Sequence, residues 1–210
     1  MKLNSLKKIS NFRLYYIVTV ALIFLSNLKL AADETTNKCM SEKIISVCRE
    51  GNIDAFGSVV DEHEADSDQI SSNLLEIARS SQSNFSQAAA IYFLGEIRCA
   101  SSVAYLAPKI SFKFHGVIMK HLVKLNISKY PVMDALIKIG NPSILAVIQN
   151  LAKSDDISVR ELSLKTLYNI DGDKDIVRLR LQKALKSEPE PQEQARLQMA
   201  LKRLEETTFP

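Results

Sequence analysis

The chain has 210 residues, 46% hydrophobic and 24% charged, with six Gly, six Pro and no Trp. That length allows one ordinary domain, or one with a small appendage, and the composition excludes a disordered chain and disfavours a turn-rich β fold. The net charge of +3 comes from the first 32 residues, which hold five basic residues and no acid; the remainder has 22 basic against 24 acidic residues, net −2, which gives no reason to invoke nucleic acid as a partner, since that chemistry favours a clustered basic face.

Met1–Arg13 carries Lys2, Lys7, Lys8 and Arg13. Leu14–Leu25 (LYYIVTVALIFL) is an apolar run of twelve, and Ser26–Ala32 closes on Ala31-Ala32. This basic, apolar, small-residue order predicts a secretory signal. A spanning helix needs about 20 apolar residues, and Lys29 interrupts any extension of this run. The expectation is a signal peptide over 1–32, a mature chain starting at Asp33, and a secreted or periplasmic location with no membrane contact after cleavage. The alternative is a membrane anchor retained through residues 14–25. No Cys follows the run closely enough for a lipoprotein-type signal.

After a polar leader, Asp33–Asn37, the pattern predicts helices over Lys38–Arg49, Ile53–Val60 and Gln69–Arg79. The acidic segment Asp61–Asp68 (DEHEADSD) is expected as a loop and Ser80–Ser86 as a polar connection. Together, 33–83 is expected to form an N-terminal helical cap or degenerate repeat. Cys39 and Cys48 fall nine residues apart in the first of these helices, a rise of about 13.5 Å, whereas a disulfide needs Cα atoms within about 7 Å. An unbroken helix therefore forbids that pair. Cys48–Cys99 or Cys39–Cys99 would leave one thiol over; three buried, reduced cysteines are the simpler expectation for an odd count.

From residue 84 onward the chain nearly repeats itself. Residues 88–110 (AAAIYFLGEIRCASSVAYLAPKI), 133–151 (MDALIKIGNPSILAVIQNL) and 162–185 (LSLKTLYNIDGDKDIVRLRLQKAL) each run an apolar helix to Leu-x-x-Ile, cross a short polar break and start a second amphipathic stretch. Leu94 and Ile97 match Leu136 and Ile139, Leu167 and Ile170, then Leu201 and Leu204. In the second helices, Val103 and Leu106 sit six and nine residues after Ile97. Leu145 and Ile148 hold the same offsets from Ile139, and Ile176 and Leu179 from Ile170. A helix pair recurring at this period cannot bury its apolar stripe alone and needs a stacked neighbour. Extra material at Ser111–Lys129 has its own helical pattern (Val117, Ile118, His121, Leu122, Leu125), expected as a lengthened or inserted helix. Glu188-Pro189-Glu190-Pro191 marks a turn. Gln192–Glu206 is a charged closing helix with Leu197, Leu201 and Leu204 inward.

Residues 84–210 resemble HEAT-like repeats, particularly the short variety related to phycobilisome lyase repeats. The resemblance is carried by Ser154-Asp155-Asp156-Ile157-Ser158-Val159-Arg160 before a helix with Leu164, Leu167 and Ile170. Leu94-Gly95-Glu96-Ile97, Ile139-Gly140-Asn141-Pro142 and, loosely, Asp171-Gly172-Asp173 extend it. It implies an all-α fold: a short right-handed α-solenoid of stacked antiparallel helix pairs. The family's best-known enzymatic use is as phycobilin lyases, but nothing in the residues selects that over binding.

Chemistry-bearing residues have structural readings beside the functional ones. His63-Glu64 resembles the His-Glu pairs with which some HEAT-like iron hydroxylases hold metal, but His115 and His121 have no Glu beside them and a site needs a convergent ligand set. Asp171, Asp173 and Asp175 alternate like a calcium loop, yet Ile176 and Gln182 stand where Gly and Glu are required; acidic capping of the following helix is the better fit. Cys99 follows Arg98, which would lower its pKa, but burial between helices is expected. No Gly-x-Ser-x-Gly or phosphate loop occurs. Asn84-Phe85-Ser86 and Asn126-Ile127-Ser128 are glycosylation acceptors only in a host that modifies secreted proteins. No catalytic, cofactor or metal residue is therefore assigned, and no cofactor. The expected function is non-enzymatic protein binding or scaffolding. Its inner surface would be formed by about Ser101–Ile110, Pro142–Lys153 and Lys174–Lys186. Lys174, Arg178, Arg180, Lys183 and Lys186 could face an acidic partner, or simply water. The alternatives are a metal- or chromophore-handling enzyme on the same scaffold and a membrane-tethered assembly factor.

Overall fold

The computed structural model describes residues 38–63, 66–115, 125 and 127–207. The signal segment expected over 1–32 lies outside them. The chain separates at Lys43/Ile44 into two units. In the first, the described residues 38–43 are helical and Cys39 is exposed, which corrects the expectation that all three cysteines are buried. The rest concerns the second unit.

Every regular element among its described residues is helical, so the fold is all-α. Helix α1 covers 44–50. It is followed by α2 (Ile53–Glu62), α3 (Ser67–Ser80), α4 (Asn84–Glu96), the single turn α5 (Val103–Leu106) flanked by 3₁₀ turns, α6 (Pro131–Ile139), α7 (Ile144–Lys153), α8 (Ile157–Asp171), α9 (Lys174–Ser187) and α10 (Pro191–Glu206). Half of the expected acidic loop is α-helix: Asp61 and Glu62 end α2, and Ser67 and Asp68 begin α3.

The starts follow local chemistry. Side-chain oxygens of Asn52, Ser83, Asp156 and Asp173 accept from first-turn amides of α2, α4, α8 and α9, satisfying donors that no helical carbonyl reaches. Proline opens α6 and α10, where its missing N–H costs nothing.

The first helices lie in a row: α3 packs on α4, α4 on α6, and α6 on α8. Leu94, Leu136, Leu167 and Leu204 are fully buried, each contributing about 2 kcal/mol of apolar transfer. The α4–α6 contact is closest at Gly95, where an added Cβ would meet the Ala135 Cα at 2.8 Å. The Leu-Gly pattern is thus a packing requirement.

Val103 and Leu106 are buried at the expected offsets, but α7 and α9 depart from that phase. Leu145 is 69% exposed, Leu179 65% and Ile176 42%, while Ile144, Val147 and Leu151 on α7 and Val177 and Leu181 on α9 are buried. The cause is turn length. Each first helix ends at a positive-φ residue, Arg98, Gly140 or Gly172, but the buried stripe resumes at Val103, Ile144 and Val177, a different count from the preceding Ile each time. One residue more or less rotates a helix by about 100°, so the offset that is buried at Val103 and Leu106 points outward on α7 and α9. The pairing also differs from a regular alternation. Helix α10, not α9, is the main partner of α7 on that side, and α10 touches α8 only lightly. The inner row expected from the three second helices is therefore not continued by Lys174–Lys186.

The described parts of Ser111–Lys129 are not helical. The Phe114 amide donates to the Lys129 carbonyl at 3.0 Å, and Phe114, Leu125 and Ile127 are buried, so the excursion is closed at its base. Val117, Ile118, His121 and Leu122 lie outside the described residues.

Candidate functional site

Three places concentrate polar chemistry. The first bridges α4 and α6. Lys138 Nζ sits 3.9 Å from the Tyr92 ring centroid and 2.5 Å from Glu96 Oε1. Burial, the hydrogen bond to Glu96 and the Glu96 charge push the Tyr92 phenol up to about 12. Burial alone would raise Glu96, but hydrogen bonds from Lys138 and Tyr92 outweigh it and hold the carboxyl below its usual range. The cluster is a clamp between two helices that Gly95 lets approach.

The second is a groove of about 580 Å³ beside it, bordered by Ser67, Asp68 and Ser71 of α3 and by Ile97, Cys99 and Ser101 after α4. Burial raises the Cys99 thiol, but contacts with the Ser101, Ser71 and Ser102 hydroxyls outweigh it and bring the thiol below its ordinary value. Cys99 Sγ lies 3.2 Å from Ser101 Oγ. Arg98 is not among the groups that shift this thiol; its positive φ marks the helix end. Cys48, by contrast, is pushed up to about 12 by burial alone, so it behaves as a small apolar side chain. All three cysteines are free thiols, as neither pairing with Cys99 is formed.

The third opens between α8 and α10, over α7, and holds about 210 Å³. It exists because α10 swings onto α7 instead of lying along α8. Leu151, Leu164 and Ala200 form its buried floor. Ile157 and Met199 stand on its walls, 63% and 55% exposed. Three arginines line it against one acid, Glu161. Arg196 Nη1 donates to the Ala152 and Lys153 carbonyls at 3.1 Å each, and Nη2 to Asp155. Arg160 Nη1 donates to the Ser154 and Asp155 carbonyls at 2.7 and 2.9 Å. These two guanidiniums thus serve the carbonyl end of α7, where cations are favoured. Arg203 is held loosely, 3.5 Å from Glu161 and 4.0 Å from Glu206.

The residues singled out in the sequence fall elsewhere. His63 Nδ1 lies 3.8 Å from Asp66; Glu64 and His121 are outside the described residues; His115 is exposed. Among the described residues no three His, Cys, Asp or Glu side chains converge as a metal set. Asp171 accepts a bidentate pair from Arg180 at 2.8 and 2.9 Å. Asp173 caps α9, and Asp175 pairs with Arg178. The alternating aspartates are therefore engaged in helix ends and ion pairs. The expected basic stripe on α9 is largely consumed as well: Arg178 also binds Glu205 at 2.7 Å, and Lys174 donates to the Thr207 carbonyl at 2.6 Å. Asn84 is exposed at the start of α4. Asn126 lies outside the described residues.

Sequence reasoning missed the α8–α10 groove. Its signal was Met199, an apolar residue off the Leu197, Ala200 and Leu204 stripe, together with Ile157 just after a capping Asp. Comparison with protein-family models, curated proteins and solved structures gives no match.

Proposed function

We propose that this chain is an exported, non-enzymatic HEAT-like repeat protein that binds or scaffolds a protein partner. The row α3–α4–α6–α8 is the neighbour-on-neighbour packing that a short α-solenoid requires. The observation that carries the binding reading is the pair of large aliphatic side chains on the α8–α10 groove, Ile157 and Met199, each more than half exposed beside a polar rim. Exposed aliphatic groups rimmed by polar residues mark interaction sites. A pre-formed helical array loses little ordering entropy on docking. The N-terminal basic and apolar segment supports export, with Asp33 as the new first residue.

Crosslinking and affinity purification from the exported fraction test the reading. A protein recovered in fixed stoichiometry is expected; a chain that crosslinks to nothing at any expression level counts against it. Chelator-sensitive iron or calcium bound one to one would favour the catalytic alternative. N-terminal sequencing that finds Met1 retained in a membrane fraction would favour the tethered one.

A further inference from the structure

We propose that the α8–α10 groove receives an acidic peptide segment that inserts an aliphatic side chain, an assignment that rests on the protein-binding reading above and names its site and ligand chemistry. Three features of the groove set the ligand. Its floor is apolar and buried, formed by Leu151, Leu164 and Ala200. Its walls carry Ile157 and Met199, two large apolar side chains that are 63% and 55% exposed. A flexible Met beside a branched aliphatic is a surface that adapts to an incoming aliphatic group.

The charge gives the second half. The lining has three guanidiniums against one carboxylate. Asp155 balances Arg196 from outside the groove, but Arg160 uses one nitrogen for its carbonyls. Arg203 is 59% exposed at its side chain, and its distances of 3.5 and 4.0 Å to Glu161 and Glu206 leave its planar fork without a close carboxylate. A guanidinium in that state takes an incoming carboxylate in bidentate fashion. The basic stripe of α9 is a poorer candidate, since Arg178 and Arg180 already hold close acidic partners.

The full-length gene product, purified from the cells that express it, is titrated into a fluorescein-labelled peptide Glu-Glu-Leu-Asp-Glu-Leu-Glu-Glu and followed by anisotropy. Saturable binding at or below about 100 µM is expected. Ile157→Asp and Arg203→Gln should each weaken it about tenfold. Lys183→Gln on α9 should leave it unchanged. All three positions are exposed, and thermal melts matching the parent chain show that folding is intact. No saturable binding, equal binding of the peptide with lysines in place of the acids, or a loss confined to Lys183→Gln overturns the assignment. So does concentration-dependent self-association that Ile157→Asp abolishes, because the groove would then be filled by a second copy. A cellular partner captured equally by the parent and by the Ile157→Asp, Arg203→Gln double variant overturns the groove and leaves the broader binding reading standing. Loss of both the partner and the peptide from the parent chain overturns both.

Discussion

At the scale of single residues, Gly95 and the Tyr92–Glu96–Lys138 cluster belong to one design. The Cβ that Gly95 lacks would stand 2.8 Å from backbone, the Ala135 Cα, with Ala135 Cβ at 3.2 Å; no rotamer change relieves that. Gly95→Ala should therefore push α4 and α6 apart and cost about 1–3 kcal/mol despite the better helix propensity of Ala, read as a lowered urea midpoint. A neutral-to-stabilised variant would show that the two helices are not in contact there. The same close approach brings Lys138 over Tyr92 and onto Glu96. Glu96 is depressed below its usual 4.5, so its contribution is complete above that pH and is lost as pH falls through the lower native value. Tyr92 moves the other way. Its pKa rises from 10 to about 12, so its contribution is complete below pH 10 and is lost as pH climbs toward 12. Stability should hold flat between these limits and fall at each side. Tyr92→Phe should flatten the alkaline fall and Lys138→Met the acid one, both visible in urea midpoints measured across pH; unchanged slopes would remove the clamp from the account.

At the scale of elements, α10 is fixed by a single side chain as much as by its apolar stripe. Arg196 is 13% exposed and satisfies two carbonyls at the end of α7 as well as Asp155. Removing it takes this donor from both carbonyls and from Asp155, so Arg196→Ala should cost about 2 kcal/mol. Arg196→Lys should recover less than half of that, because an ammonium cannot span three acceptors in a fixed plane; full recovery by Lys would mean that charge alone matters. This residue also shows where the sequence stops being legible. Helix starts were readable because Asp156, Asp173 and Pro191 act within their own few residues. The buried Leu94, Leu136 and Leu167 were readable because a helix keeps its own phase. The second-helix anchors Leu145 and Leu179 were misplaced because phase does not survive a turn of unknown length. Nothing near Arg196 in the chain announces that its partners lie 43 and 44 residues upstream, and the groove depends on that same long-range docking.

At the scale of the molecule, the return of α10 onto α7 changes how the last hairpin should behave. In an array where each pair touches only the next, the final pair opens at lower free energy than the middle and frays alone. Here α10 buries Leu197 and Leu204 while contacting α9 and, across the hairpin, α7. Opening α10 also uncovers Leu151 and releases the cap on the end of α7. The terminal hairpin and the α7–α8 pair should consequently open as one unit. Native-state hydrogen exchange is the measurement: amides around Leu197–Leu204 should match those around Val147–Leu151 in opening free energy. Leu204→Ala, expected to cost about 2–4 kcal/mol, should lower both sets together while leaving α4 amides such as Phe93 and Leu94 protected. If α10 alone loses protection, the hairpin is an ordinary terminal repeat. The α8–α10 groove would then be a transient gap and not a fixed feature of the fold.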